Sequence, residues 1–203
     1  MAMTELVALM RNTNGYSLTL FKKQKTLLNK CIVCKQYMSS QKWSVILEEY
    51  VKQTLSIKSK KNNTSGDGYK NNINIEIKVS LGSKTGVLNY VQIRPDHDIH
   101  LYLLIGYDLF ANILGKVHVI AIPSNKLYEL IPTYGSYAHG TIKKLGRITR
   151  QNIKGRNCEY ALRPNPQKRK ENDKHYDLWT KLLECEIDFS VTQFDKVLDD
   201  LYK

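Results

Sequence analysis

Long apolar runs are missing from this chain. The longest, LYLLIGY at 101–107, falls far short of the roughly 20 residues that span a bilayer, which excludes a transmembrane helix. The N-terminus, MAMTELVALMRN, has an early acid, no basic leader and no small-residue cleavage site, so no signal peptide is expected. There are only four cysteines, too few for a disulfide framework in 203 residues. They are expected to be reduced thiols in the cytoplasm. Cys31 and Cys34 form a C-x-x-C, but no second C-x-x-C and no H-x3-H follows it. Ordinary thiols on a helix are therefore the simplest reading of that pair. No internal repeat or low-complexity block is present.

Acids are scarce. Nineteen Asp and Glu stand against 31 Lys and Arg, a net charge of +12. The excess suggests a polyanionic partner, nucleic acid before membrane. Lys and Asn are abundant, so an AT-rich genome accounts for part of it. Drift alone, however, does not concentrate charge. Residues 1–139 carry a net +8, residues 140–170 a net +9, and residues 171–203 a net −5. The middle segment is the first candidate for a nucleic-acid contact surface.

The rest is ordinary globular chemistry. Hydrophobic residues make up 42% and charged residues 25%, which excludes disorder along the whole chain. The length predicts one compact domain with appendages. Residues 18–38 have apolar positions at helical spacing with lysines between them. Residues 39–57 predict a helix with Trp43, Ile46, Leu47, Tyr50, Val51 and Thr54 on one face, capped by Ser39 or Ser40. Residues 58–72 read as a polar loop ending in a turn. INIEIKVSL at 73–81 alternates cleanly and is the clearest strand. A strand or short helix follows at 87–94. The apolar runs at 99–110 and 116–122 suit strands buried on both faces, and a short helix is expected at 125–131. Residues 132–170 predict irregular structure with one or two short elements. Helices are expected at 177–187 and 190–203, with Ser190 and Gln193 at capping-box spacing. The whole is an α/β fold with a central mixed sheet flanked by helices. Its parts are a core at 38–131, a basic segment at 132–170 and C-terminal helices at 171–203.

One stretch carries chemistry. In SGDGYKNNINIEIKVS, 65–80, Asp67 sits at a Gly-Asp-Gly corner and Glu76 lies mid-strand nine residues later. Lys78 follows on the same face, about 6.6 Å along the strand. Two carboxylates a hairpin apart can meet at one point and hold Mg²⁺ through oxygen. A lysine beside them can hold a water and favour its deprotonated form. Acid, acid and lysine around Mg²⁺ describe a site for phosphodiester hydrolysis, and the basic surface suits a polyanionic substrate. An exposed strand with an ordinary Glu–Lys pair is the plain alternative.

Asp67 followed by Glu76-Ile77-Lys78 resembles the motif of the PD-(D/E)XK nuclease superfamily: an Asp, a hairpin, then hydrophobic-E-hydrophobic-K. LEEYV at 47–51 is similar to the glutamate-bearing helix that often opens that core. The stretches 89–109 and 139–164 look like the segments that follow the motif in type II restriction endonucleases. The resemblance covers about 48–122, and more loosely extends to 164. It departs at the family's Pro-Asp, which is Gly66-Asp67 here. The literal Pro95-Asp96 has no E-x-K after it and is rejected as the metal site.

The resemblance implies a restriction-endonuclease-like core and an Mg²⁺-dependent, sequence-specific hydrolase of double-stranded DNA. Asp67, Glu76 and the Ile77 carbonyl would hold the metal, and Lys78 would position the nucleophilic water. Of the helix acids, Glu48 lies nearer the apolar edge than Glu49 and fits the family's L-E-x-Y pattern, so Glu48 is the preferred fourth member. Gln92 and Arg94 are candidate DNA contacts. For Arg94 an ion pair with Asp96 or Asp98 is the alternative. His97 and His100 are expected to be merely exposed. In the basic run Lys143, Lys144, Arg147, Arg150, Lys154 and Arg156 are candidate DNA contacts, and Tyr134 and Tyr137 can stack or pack. A homodimer would present two sites to the two strands. No room is left for ATPase or methylase domains, so no ATP or S-adenosylmethionine requirement is expected. Three other readings remain open. One is a repair, junction-resolving or homing nuclease on the same fold. The others are a non-catalytic nucleic-acid-binding protein and an interaction protein with lysine drift.

Overall fold

The structure, a computed structural model, describes residues 16–59, 64–138 and 145–201. Five strands form its main sheet in the order β1–β2–β3–β5–β6. They are β1 (Lys58–Ser59), β2 (Gly68–Lys70), β3 (Ile73–Ser80), β5 (Leu101–Asp108) and β6 (Lys116–Pro123). β3 and β5 run parallel, and the other pairs are antiparallel, so the sheet is mixed. All eight residues of β5 are buried, which is why its sequence is a continuous apolar run and not an alternating one. β3 does alternate. Ile73, Ile75 and Ile77 face one apolar layer. Its polar face is not left to solvent: Asn74 and Ser80 are buried, and Glu76 and Lys78 are half-buried.

Helices cover both faces of the sheet. On the Ile75/Ile77 face lie α2 (Leu27–Tyr37), α3 (Ser40–Leu55) and α6 (Val191–Asp200), contributing Cys31, Leu47, Val51, Leu55, Phe194 and Leu198 to the core. On the other face lie α4 (Ser124–Tyr134) and α5 (Lys174–Leu183), with Leu127, Ile131, Trp179 and Leu182 against Tyr102, Leu104 and Ile120. The two C-terminal helices therefore seal one face each. The 87–94 stretch resolves as a strand, β4 (Tyr90–Ile93). It belongs to a second sheet of order β4–β8–β7, with β8 at Tyr160–Leu162 and β7 at Ser136–Tyr137. The basic segment thus holds two short elements among its described residues and is hydrogen-bonded to the core through β4.

Local capping and turn chemistry explain where the elements depart from simple periodicity. The helix expected at 18–38 is broken. Residues 16–23 are helical (α1), and Thr26 then starts α2, its hydroxyl accepting the Asn29 N–H at 3.2 Å. Threonine is a good N-cap and a mediocre helix interior residue. Ser39 occupies the N-cap of α3 but makes no side-chain capping hydrogen bond. The expected 58–72 loop contains β1 and β2. Asn71 and Asn72, both at positive φ (50° and 60°), make the two-residue turn into β3, the conformation a tight hairpin needs. α5 starts three residues earlier than expected because the Asp173 carboxylate accepts the His175 N–H at 3.0 Å. Ser190 caps α6 by accepting the Gln193 N–H at 3.3 Å, as its spacing predicts. Cys31 and Cys34 are fully buried on α2. Burial raises both thiols, Cys34 to about 12, so they are packing groups at neutral pH.

Candidate functional site

The β2–β3 hairpin brings the two motif acids together. Gly68 pairs with Ile75, and Asp67 lies just outside that last pair, close enough for its charge to act on Glu76. Two backbone contacts hold Asp67 against β3. Its N–H donates to the Ile75 carbonyl at 2.9 Å, and its Oδ2 accepts the Ile77 N–H at 2.8 Å. The carboxylate therefore stands where a partner strand's carbonyl would. β2 begins just after Asp67, so among the described residues no strand pairs with this edge of β3 beyond Ile75. A residue's N–H and C=O lie on one side of a strand, so the Ile77 carbonyl faces that same open edge.

Gly66 makes the corner possible. It has φ +80°, and a Cβ there would lie 2.5 Å from the Ile75 carbonyl oxygen. Proline, fixed near φ −65°, cannot take this conformation. The departure from Pro-Asp thus has a local cause: in this chain the turn enters Asp67 through a left-handed residue.

Lys78 sits two residues beyond Glu76 on the same face, and its Nζ is 2.6 Å from Glu76 Oε1, each side chain about 15% exposed. Glu48 faces the same place from α3, whereas Glu49 points outward, paired with Lys52 at 3.1 Å and accepting from Gln53 at 3.0 Å. Burial raises the Glu48 carboxyl to about 7. The negative charge of Asp67 and of Glu76 adds to the rise, and Lys78 and Lys52 oppose it. Glu76 is also raised, chiefly by burial, against the pull of Lys78. Three acids thus gather around Lys78, with Lys52 and Arg94 adding weaker positive charge.

Among the described residues no group of three or more His, Cys, Asp or Glu side chains is arranged to hold a metal ion by itself. Mg²⁺ does not require such a cage. It is held through one or two carboxylates and retains water. Asp67 at the corner before β2 and Glu76 on β3, with Glu48 adding charge beside them, fit that ion in chemistry and in charge.

A groove of about 510 Å³ opens from the site between α3, the end of β3 and the 82–92 segment. Glu48, Lys78 and Gln92 line it, together with Lys35, Trp43 and Asn89. The last three come from separate elements; periodicity marks Trp43 only as part of a helix's apolar face, and Lys35 and Asn89 not at all.

The remaining candidates fall into two groups. Arg94 is engaged by Glu159, with Nε donating to Oε1 at 2.9 Å and Nη2 to the same oxygen. Its partner is thus neither Asp96 nor Asp98, because β8 brings Glu159 alongside. Asp96 instead accepts the backbone N–H groups of Gly155 (2.5 Å), Arg156 (3.2 Å) and Asn157 (2.7 Å). The rejected Pro-Asp is therefore a clasp on the basic segment. Asp98 accepts from the Asn74 carboxamide at 2.6 Å, and His100 Nδ1 accepts the Asn74 N–H at 3.0 Å, so both brace the hairpin. His97 is half-buried rather than exposed, and burial lowers its imidazole. In the basic run Arg147, Arg150, Lys154 and Arg156 are all exposed. Lys154 also lies over the Tyr128 ring at 5.6 Å, and Arg156 donates to the Leu145 carbonyl at 2.8 Å. Tyr137 packs on Tyr160 with ring centroids 5.6 Å apart. Lys143 and Lys144 lie outside the described residues.

Compared with family models, with curated proteins and with solved structures, the chain matches none of them.

Proposed function

We propose that this chain is a Mg²⁺-dependent endonuclease of PD-(D/E)XK type that hydrolyses phosphodiester bonds of double-stranded DNA at a specific sequence, as restriction enzymes do. The observation that supports it is the convergence of Asp67, Glu76, Lys78 and Glu48 at the open edge of β3. Asp67, Glu76 and the Ile77 carbonyl are the groups that would hold the ion, with Glu48 beside them. The ion would offset the charge of the phosphate under attack and acidify bound water.

The chain's own residues do the rest. Lys78 Nζ, held beside Glu76, donates to the attacking water and favours its hydroxide form. The Asp67–Ile77 hydrogen bond fixes the first carboxylate against the strand that carries the second. The half-buried setting lowers the local dielectric and strengthens each charge interaction. Arg147, Arg150, Lys154 and Arg156 supply exposed positive charge for DNA phosphates, and the Asp96 and Arg94–Glu159 clasps fix that segment relative to β4. A homodimer would present one such site to each strand of a palindrome.

The test is incubation of the purified protein with unmethylated phage DNA, in Mg²⁺ or in EDTA, beside Lys78→Ala. Discrete Mg²⁺-dependent fragments are expected, with the variant at least about 100-fold slower. A smear would keep the catalytic site and replace the sequence-specific reading with a nonspecific nuclease. Tight DNA binding with no cleavage, unchanged in Lys78→Ala, would refute the catalytic reading and favour a binding protein.

A further inference from the structure

β4 contains an irregularity in its pairing with β8. Tyr90 pairs with Leu162 and Ile93 with Tyr160, so two residues, Val91 and Gln92, stand opposite Ala161 alone. This is a β-bulge, a device that re-aims a side chain and is frequent beside active sites. At the bulge Gln92 has φ +58°, a left-handed conformation that is costly for a residue with a long side chain and is retained where the surroundings enforce it. Gln92 is exposed and lines the groove that also holds Lys78.

The groove has the character of a ligand site. Its volume of about 510 Å³ lies within the range of small-ligand pockets. Its walls are mixed. Trp43, half-buried, lines it with Val79, Leu81 and Val87, while Gln92 and Asn89 bring carboxamides, Lys35 and Lys78 bring positive charge and Glu48 a single acid. A flat aromatic ring, an amide with both donor and acceptor, and cations for a phosphate are the three elements that hold a nucleotide outside a duplex.

From this we propose that the groove is a subsite for one unpaired nucleotide of the DNA strand. The base lies against Trp43, its edge is hydrogen-bonded by the Gln92 carboxamide, and its phosphate is directed towards Lys78. The inference rests on the reading of the adjacent site as a nuclease, and it makes Gln92 and Trp43 determinants of substrate choice. With a duplex substrate the nucleotide has to leave the stack, so mismatched or nicked DNA enters more easily.

The test reads binding without cleavage. The chain has two tryptophans, and Trp179 is only 4% exposed in the core. Oligothymidylate is titrated in EDTA while intrinsic fluorescence and anisotropy of a labelled strand are followed together. Quenching is expected in the wild type and in Trp179→Phe, and is expected to vanish in Trp43→Phe. Trp43→Ala should weaken binding about tenfold, the loss of one stacked base. Gln92→Gly should weaken binding several-fold while raising the melting temperature, because glycine takes φ +58° without strain. Three results each overturn the subsite: binding without quenching of Trp43, no binding of the oligonucleotide, or a more stable Gln92→Gly that binds as before. Mg²⁺-dependent cutting of phage DNA by a protein whose Trp43 is not quenched would overturn the subsite alone. Quenching in a protein that cuts nothing would support it and refute the nuclease.

Discussion

Arg94 and Glu159, 65 residues apart, form an ion pair in which two N–H groups of one guanidinium reach a single carboxylate oxygen. The side chains are 35% and 24% exposed, so the pair is partly shielded and ties the end of β4 to the start of β8 within the basic segment. Arg94→Ala and Glu159→Ala should each cost about 1–2 kcal/mol, and the double variant clearly less than the sum. Arg94→Lys should not restore the loss, since an ammonium lacks the guanidinium fork. Urea unfolding of the four proteins measures the cycle, and additive losses would show that the two side chains do not interact.

Gly66 permits a test of the corner that presents Asp67. Alanine at φ +80°, with its Cβ 2.5 Å from the Ile75 carbonyl oxygen, forces the turn apart. Gly66→Ala should destabilise by about 1–3 kcal/mol and reduce Mg²⁺-dependent cleavage with it. Gly66→Pro should be worse, despite creating the Pro-Asp pair of the PD-(D/E)XK motif that the segment resembles. A Gly66→Pro protein that is folded and active would contradict the geometry described for Asp67.

Glu48 gives a pH dependence with a defined sign. Its folded carboxyl is raised from near 4.5 to about 7, chiefly by burial. The stability its neutral form contributes is fully present below pH 4.5 and is lost as pH rises through 7. Glu48→Gln keeps the neutral shape at every pH. It should match the wild type at pH 4 and exceed it at pH 8 by roughly 1–2 kcal/mol, after allowance for solvent screening. Melting temperatures across pH 4–8 check this, and a constant difference would assign the effect elsewhere.

Mg²⁺ should reverse that penalty. An ion held by Asp67 and Glu76 would bind the folded state alone and stabilise it by about 2.7 kcal/mol at a hundredfold excess over its Kd. The gain should be larger at pH 8 than at pH 5, where Glu48 is protonated. Asp67→Asn or Glu76→Gln should abolish it. Thermal shifts with and without Mg²⁺ measure this with no reference to cleavage, and an equal shift in Asp67→Asn would place the ion elsewhere.

Much of this protein is readable from one dimension. β3 announces itself because a strand with two unlike faces alternates, and β5 because one buried on both faces does not. Asp67, Glu76 and Lys78 are legible because a hairpin turns spacing along the chain into proximity across it. The charge of residues 140–170 is likewise a local fact. Other features belong to the tertiary structure, because their partners are distant in sequence. Helical spacing favours Glu48 over Glu49, and the packing of α3 completes the choice, its Leu47, Val51 and Leu55 turning Glu48 inward and Glu49 to water. The partner of Arg94 is decided by β8, and the groove by Lys35, Trp43 and Asn89 on three separate elements. Sequence periodicity encodes the faces of an element. Contact between elements depends on how those faces stack, and on the few polar groups that find partners once they do.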